Sequence, residues 1–178
     1  MSGERATENV STAGRTPRIV VVCGLPGAGK TTVAEHAADL VDGPLFRTDV
    51  VRKDLFPDPE YTDAEMRAVY EELFDRAAAA VRRGDAAVLD GTFQHRNLRD
   101  EIQLVGDRLG VPVTFVKVDC DADTVRERIR ARSNDASDAD FEIHCQYRET
   151  FDDVEREHAV VDNSAGLDAT RAQVTSLF

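Results

Sequence analysis

Short runs of apolar and β-branched residues recur along the chain, and longer segments with helical periodicity separate them. Such runs, without polar alternation, are typical of strands that are buried on both faces of a parallel sheet. The pattern predicts strands over residues 18–23, 44–48, 86–90, 113–119 and 158–161. Because strand and helix signals alternate, we expect an α/β three-layer sandwich, in which helices cover both faces of a five-stranded parallel sheet.

Capping signals mark the helices between these strands. A capping box of Thr, Asp, Ala and Glu at residues 62–65 opens a segment whose apolar positions keep helical spacing until about Gly84. Gly110 marks the end of a second helix over residues 97–109. Further helices are predicted over residues 32–41, from about 121 through 132, from about 137, and over 167–177.

A glycine-rich segment between the first strand and the first helix matches the phosphate-loop pattern G-x-x-x-x-G-K-[ST]. Glycines let the main chain approach an anion closely, and the N-terminal end of the following helix adds partial positive charge. We expect Lys30 to contact the β- and γ-phosphates of ATP and the hydroxyl group of Thr31 to bind Mg²⁺. The residues predicted to bind the nucleotide here are Gly24, Leu25, Pro26, Gly27, Ala28, Gly29, Lys30, Thr31 and Thr32.

Charged residues follow the predicted strands at the edge where parallel α/β sheets bind their ligands. Asp49 follows the second strand and is the candidate for accepting the proton of an acceptor hydroxyl group. If a helix begins there, Arg52 shares a face with Asp49, and its guanidinium group can bind an anionic group of the acceptor. Asp90 ends the third strand in the manner of a Walker-B aspartate, which predicts a role in holding Mg²⁺.

Four arginines alternate over residues 126–132, in the predicted helix after the fourth strand. Helical spacing places Arg126 with Arg130 and Arg128 with Arg132, and the pattern leaves open which pair faces ATP. We predict catalytic roles for Arg126 and Arg130 and a nucleotide-binding role for Arg132. With the polar residues that follow, this helix is expected to form an arginine-rich lid that closes over ATP and excludes water.

The composition is strongly acidic, with a net charge of −12, 21 Asp and 13 Glu, against 19 Arg and 3 Lys. Such a surface is typical of proteins from salt-accumulating halophiles, and it disfavours broad nucleic-acid binding, which depends on phosphate neutralisation. Three cysteines without metal spacing predict reduced thiols and a cytoplasmic location, with Cys23 buried. No apolar run is long enough to suggest a membrane partner. We expect a disordered leader over residues 1–16 and one domain over residues 17–178.

From about residue 17 to residue 162, the chain resembles the small P-loop kinases that are often labelled AAA-type ATP-binding proteins. This superfamily includes polynucleotide 5′-hydroxyl kinases, gluconate kinases, adenylylsulfate kinases and zeta-toxin-like sugar kinases. The resemblance rests on the phosphate loop, the segments 48–52 and 88–93, the arginine run, and the segment 135–139 with the later Gln146. It implies a P-loop NTPase fold, with Asp49 as proton acceptor and Arg52 as acceptor-binding residue. Phe93 stands where many polynucleotide kinases have Asn, which disfavours a nucleic-acid end as acceptor.

The leading hypothesis is transfer of the γ-phosphate of ATP to a hydroxyl group of a small molecule or of a nucleic-acid 5′ end. A nucleoside monophosphate kinase is one alternative, because the stretch from Asp90 to Arg96 is similar to that family. A nucleotide-binding regulatory module without transfer chemistry is another, although the Asn-Lys-x-Asp pattern of GTPase switches is absent. The sequence identifies no acceptor, and it leaves open whether the protein is a monomer or a homodimer.

Overall fold

The computed structural model of the protein describes residues 16–132 and 137–178, with the backbone alone at residues 137–139. The expected leader lies outside the described residues except for residue 16, and so do residues 133–136 of the expected lid. The described residues form five strands and seven helices: β1 (Ile19–Gly24), α1 (Lys30–Val41), β2 (Leu45–Arg47), α2 (Thr48–Leu55), α3 (Asp63–Arg82), β3 (Ala87–Asp90), α4 (Arg96–Leu109), β4 (Val113–Asp119), α5 (Ala122–Arg132), α6 (Ser137–Thr150), β5 (Ala159–Asp162) and α7 (Leu167–Thr175).

The sheet formed by these described strands has the order β2-β3-β1-β4-β5, and every neighbouring pair is parallel. β1 lies at the centre, where it pairs with β3 on one side and β4 on the other. The predicted α/β sandwich with a five-stranded parallel sheet is therefore confirmed. Since all strands point the same way, their carboxyl ends meet at one edge, which is where the phosphate loop follows β1.

Alternate residues of β1 face two separate hydrophobic clusters. Ile19, Val21 and Cys23 pack with residues of α3 and α4. Val20 and Val22 pack on the other face with residues of α1 and α7. All of these side chains are fully buried, because helices cover both faces of the sheet, and this explains the unbroken apolar run in the sequence.

The element boundaries agree closely with those expected from the sequence. β4 has the predicted bounds, and each end of the other strands lies within one residue of its predicted position. β2 stops at Arg47 because Thr48 already begins α2, so that the extended Arg47 serves as the N-cap of that helix. The predicted helix start at residue 62 is confirmed, since the hydroxyl oxygen of Thr62 accepts a hydrogen bond from the amide of Glu65.

Arg99 of α4 is buried to 1% exposure and joins two loops that are distant in sequence. Its guanidinium group donates to the carbonyl oxygens of Phe93, at 2.6 Å, and Gln94, at 3.2 Å, in the loop after β3. It also donates to the carbonyl oxygens of Asp152 and Asp153, both at 2.9 Å, in the segment after α6. The arginine thereby fixes the end of α6 against the edge of the sheet.

In the described part of the chain, we find no helix with the length and apolar character that crossing a lipid bilayer requires.

Replacing Arg99 with methionine should destabilise the fold, because the carbonyl oxygens of Phe93, Asp152 and Asp153 would lose the donor that Arg99 provides. We expect Arg99→Met to lower the free energy of unfolding by about 2–4 kcal/mol in urea denaturation. Arg108→Met is the matched control, since Arg108 is exposed in the last turn of the same helix. Equal midpoints and slopes for the two variants would contradict the role of Arg99.

Candidate active site

The phosphate loop connects β1 to α1 in a conformation that depends on its glycines. Gly27 and Gly29 have positive φ values of 80° and 86°, in the left-handed region that other residues adopt at a cost. At Gly24, a Cβ atom would lie 2.5 Å from the carbonyl oxygen of Val118 in β4. The loop therefore packs tightly against the neighbouring strand and opens at the N-terminus of α1, as an anion site requires.

Lys30 reaches back over the loop from the first position of α1. Its ammonium group donates a hydrogen bond to the carbonyl oxygen of Leu25 at 2.9 Å. Burial lowers the pKa of Lys30, whereas the negative charges of Asp90 and Asp49 raise it. The lysine is thus held at the mouth of the loop with two carboxylates nearby.

Thr31 and Asp90 join the loop to the neighbouring strand β3. The Thr31 hydroxyl donates to Oδ2 of Asp90 at 2.8 Å, and Asp90 is only 4% exposed. Burial raises the pKa of Asp90, while the Thr31 hydrogen bond and the charges of Lys30 and Arg47 oppose this increase. A hydroxyl oxygen and a carboxylate oxygen this close together are hard ligands of the type that Mg²⁺ prefers, so these two residues fit the expected metal.

Asp49 lies in the first turn of α2 and is held by Arg47. The guanidinium group donates from Nε to Oδ1 at 3.1 Å and from Nη2 to Oδ2 at 2.7 Å, a bidentate pair. The Nε atom of Arg47 also lies 3.8 Å from Oδ2 of Asp90. Lys30, Arg47, Asp49 and Asp90 therefore form a cluster of two positive and two negative charges at the carboxyl edge of the sheet.

Arg52, one turn after Asp49 in α2, has an unused donor. Its Nη1 atom is buried, lies 3.7 Å from Oε2 of Glu65, and has no hydrogen-bond partner among the residues described. The ring of Tyr61 lies 5.0 Å from the Arg52 Cζ atom. Glu65 is itself fixed, because its carboxylate accepts hydrogen bonds from the amides of Glu60 and Tyr61. The guanidinium group is thus held in place by Glu65 and Tyr61.

The loop after β3 carries an unusual backbone conformation next to the phosphate loop. Phe93 is buried and has a φ value of 46°, which is rare for an aromatic residue. The Tyr70 hydroxyl accepts a hydrogen bond from the Phe93 amide at 3.0 Å and lies 3.3 Å from the Thr92 hydroxyl. The amide of Gly24 donates to the Thr92 carbonyl oxygen. These contacts place Thr92 beside the start of the phosphate loop.

The arginines of α5 have different surroundings. Arg126, Arg130 and Arg132 are exposed, and the Cζ atom of Arg126 lies 4.3 Å from the centre of the Phe141 ring. Arg128 is half-buried and donates from Nη2 to the carbonyl oxygen of Asn163 at 2.7 Å. The predicted roles of the three exposed arginines remain predictions, and Arg128 is the arginine of this helix that contacts the surroundings of the phosphate loop.

Asn163 and His144 support the phosphate loop from two further elements. The Asn163 amide group is buried and donates to the Ala28 carbonyl oxygen at 2.8 Å. The Nδ1 atom of His144 in α6 lies 2.7 Å from the carbonyl oxygen of Pro26, which can only accept, so Nδ1 carries the proton. A cavity of about 490 Å³ lies beside the loop, with Lys117, Asp119 and Arg148 in its lining.

The sequence pattern alone does not identify Arg47, Arg128, Asn163 or His144 as neighbours of the site. Helical spacing leaves open which of the two arginine pairs faces ATP, and Arg128 is the one of the four arginines for which no role is predicted. The available signal for Arg47 is its place at the end of a strand, two residues before Asp49. No local pattern marks Asn163 or His144, because their contacts join segments more than a hundred residues apart.

Comparison with known proteins finds several that this chain resembles. The sequence profile of a family described as an AAA domain matches residues 19–154. A gluconokinase from Gluconobacter oxydans is 30% identical over 131 residues, which cover 71% of each chain. An uncharacterized protein of Mycobacterium tuberculosis is 32% identical over 151 residues. These are 78% of this chain but 30% of that protein, so the chain spans about a third of the length of this relative.

Solved structures of kinases share the fold. A gluconokinase from Sinorhizobium meliloti superposes with a TM-score of 0.69 at 22% identity, over 92% of both chains. The APS kinase CysC of Mycobacterium tuberculosis, solved in complex with AMPPNP and APS, superposes with a TM-score of 0.70 at 16% identity. That match covers 92% of this chain and 98% of the APS kinase.

A side chain at Gly29 should damage the phosphate loop. In Gly29→Ala, the Cβ atom would collide with the Nδ2 atom of Asn163 and break its hydrogen bond to Ala28. We expect the affinity for AMPPNP, measured by calorimetry, to fall at least about tenfold.

Gly84→Ala is the matched control for this prediction. Gly84 has a similar φ value of 90°, but a Cβ atom there has nothing within 4 Å. Alanine at either position is strained by the positive φ value, but only at Gly29 does its Cβ atom collide with Asn163. Equal AMPPNP affinities in the two variants would contradict the assigned role of the loop.

Proposed function

Since this chain belongs to the AAA domain family, we propose that it is an ATP-dependent kinase that phosphorylates a hydroxyl group of a small anionic molecule. The observation that carries the proposal is the convergence of three elements at one edge of the sheet. Lys30 from α1, Asp90 from β3 and Asp49 from α2 lie close enough for each carboxylate to raise the pKa of the lysine. A nucleotide-binding loop that faces two carboxylates has the parts that phosphoryl transfer requires.

The phosphate loop and Lys30 would bind the triphosphate of ATP as substrate. Backbone amides at the start of α1 and the ammonium group of Lys30 offset the negative charge of the β- and γ-phosphates. Thr31 and Asp90 are the residues that would hold Mg²⁺. When bound, this ion would neutralise charge on the phosphate oxygens and thereby favour attack of a nucleophile on the γ-phosphorus atom.

Asp49 would act on the acceptor. The acceptor oxygen forms a bond to the γ-phosphorus atom as the bond from that phosphorus to the β–γ bridging oxygen breaks, and ADP leaves. The hydroxyl proton passes to the Asp49 carboxylate. Arg47 donates one hydrogen bond to each oxygen of this carboxylate and so uses one lone pair of each. A carboxylate has about four lone-pair sites, so acceptor capacity remains.

The buried Nη1 donor of Arg52 supports an anionic acceptor. This nitrogen has a charged neighbour in Glu65 but no hydrogen-bond partner among the residues described, and a carboxylate, sulfate or phosphate group of the acceptor would satisfy it. The relative that is named a gluconokinase and the neighbour named an APS kinase support the same class. Sugar acids and sulfated or phosphorylated small molecules are therefore the first acceptors to examine. The net charge of −12 supports a small acceptor over a nucleic-acid end.

An acceptor panel tests the proposal directly. ADP formation should be measured with Mg²⁺, ATP and sugar acids, adenylylsulfate, nucleoside monophosphates or 5′-hydroxyl oligonucleotides, in low and in molar KCl because of the halophile-like composition. Transfer to a small anionic polyol or to adenylylsulfate would support the proposal. Transfer to nucleoside monophosphates alone, or to oligonucleotides alone, would replace it with the corresponding activity. Tight AMPPNP binding without transfer to any acceptor would favour a regulatory module.

Asp49→Asn should separate transfer from nucleotide binding. The amide keeps the size of the carboxylate but cannot accept the hydroxyl proton, so we expect kcat to fall by about 10²–10⁴-fold. The affinity for AMPPNP should stay within about threefold, because Asp49 does not belong to the phosphate loop. Asp54→Asn is the control, since Asp54 is exposed in the same helix and pairs with Arg76. Full activity in Asp49→Asn would refute the assignment.

Arg52→Gln should weaken binding of the anionic acceptor. Loss of a charge-assisted hydrogen bond worth about 1.5–3 kcal/mol predicts an increase in the acceptor KM of roughly tenfold or more. The KM of ATP should not change, and Lys53→Gln, at the exposed neighbouring position, should behave like the wild type. An acceptor analogue with an amide in place of its carboxylate distinguishes the cause. If Arg52→Gln impairs the neutral analogue equally, Arg52 does not bind the anionic group.

A further inference from the structure

Arg47 occupies a position that connects the two carboxylates of the site. It is the last residue of β2 and pairs in register with Asp90 on the adjacent strand β3. It is also the N-cap of α2, two residues before Asp49. Because strand and helix meet at this residue, one guanidinium group reaches Asp49 on its own helix and Asp90 on the neighbouring strand.

The contacts of Arg47 restrict the Asp49 side chain. The Asp49 side chain is 55% exposed, so little packing holds it. Both of its oxygens accept from Arg47, at 3.1 and 2.7 Å, in the planar fork geometry that fixes a carboxylate in two directions. The arginine therefore sets which way the remaining lone pairs of Asp49 point.

The same guanidinium group also places a positive charge beside the Asp90 carboxylate. Its Nε atom lies 3.8 Å from Oδ2 of Asp90, the oxygen that accepts the hydrogen bond from Thr31. Asp90 is nearly buried, so solvent screens this pair of charges less than it would at the surface. A positive charge at this distance opposes the binding of a second cation to the same oxygen.

We propose that Arg47 is a positioning residue with two effects: it orients Asp49 towards the acceptor, and it weakens divalent-metal binding at Thr31 and Asp90 until a nucleotide adds negative charge. Without a nucleotide, Thr31 and Asp90 would then hold a divalent metal only weakly. The inference rests on the proposed function for the roles of Asp49 and Asp90, whereas the effect on metal affinity can be measured without any reaction.

The first experiment titrates Mn²⁺ alone into the protein at one fixed ionic strength and measures free Mn²⁺ by electron paramagnetic resonance. Arg47→Gln should tighten the Mn²⁺ dissociation constant by about threefold to tenfold, because it removes the competing charge. Arg47→Lys keeps the charge and should stay within about twofold of the wild type. With AMPPNP present, the difference between Arg47→Gln and the wild type should shrink, since the phosphates then contribute the larger charge.

Two controls make this metal readout specific. Asp90→Asn removes the carboxylate, so adding Arg47→Gln to it should produce no further gain in Mn²⁺ affinity. Arg67→Gln removes an exposed arginine that also contacts two carboxylates, Glu71 and Glu101, and should leave the affinity unchanged. An equal gain in Arg67→Gln would mean that net charge alone is responsible, and it would overturn the proposal.

The second experiment measures kcat with the acceptor identified by the panel. Both Arg47→Gln and Arg47→Lys should lower kcat about tenfold or more, because neither replacement holds both oxygens of Asp49 in one plane. The signature is therefore tighter metal binding with slower turnover in Arg47→Gln, and unchanged metal binding with slower turnover in Arg47→Lys. Unchanged or weaker Mn²⁺ binding in Arg47→Gln, or full turnover in either variant, would overturn the proposal.

Failure of the proposed function can be distinguished from failure of the Arg47 proposal. If the wild type transfers phosphate to no acceptor, the kinase assignment fails, and the Mn²⁺ titration still decides the effect of Arg47 on Asp90. If Arg47 had only a structural role, Arg47→Gln would lower the melting temperature and weaken both metal binding and turnover. The Mn²⁺ affinity would then fall, whereas the proposal expects it to rise.

Discussion

The ammonium group of Lys30 must be compensated at the edge of the sheet, and this requirement organises the surrounding structure. The loop carbonyl of Leu25 accepts its hydrogen bond, and the carboxylates of Asp90 and Asp49 oppose the effect of burial on its pKa. Because a partly buried cation without such partners is costly, the loop, the end of β3 and the start of α2 have to stay together. The parallel sheet makes this possible, since it brings the carboxyl ends of β1, β2 and β3 to one edge.

The elements around this charge cluster are joined by contacts between distant segments. Asn163 links the loop before α7 to the phosphate loop, and His144 links α6 to the same loop. Arg99 ties the segment after α6 to the loop after β3. Each contact donates a hydrogen bond to a backbone carbonyl oxygen of the phosphate loop or of a neighbouring segment. The site is thus rigidly supported on both sides, as the positioning of reacting groups requires.

The sequence is most informative where a structural feature depends on residues that are adjacent along the chain. β1, the phosphate loop and α1 follow from the run 19–31, because burial, glycine conformation and helix start are encoded locally. The cap at Thr62 is predictable for the same reason. Arg47 is different, since its role depends on the register between β2 and β3, which no local pattern specifies. The arginine run shows the same limit: helical spacing separates two pairs, but only the packing of α5 against Asn163 distinguishes Arg128 from its neighbours.

The charge balance of the whole chain bears on how such a site recognises anions. At a net charge of −12, the long-range field of the protein repels ATP and an anionic acceptor, so recognition has to come from short-range contacts. In the proposed function, the backbone amides of the phosphate loop, Lys30 and the Nη1 atom of Arg52 would supply these contacts. Salt screens the repulsion, with a Debye length of about 3 Å at 1 M, while directed hydrogen bonds at contact distance persist. An acidic surface and a site for anions are therefore compatible, provided that the cations are few, partly buried and fixed in place, as Lys30 and Arg47 are.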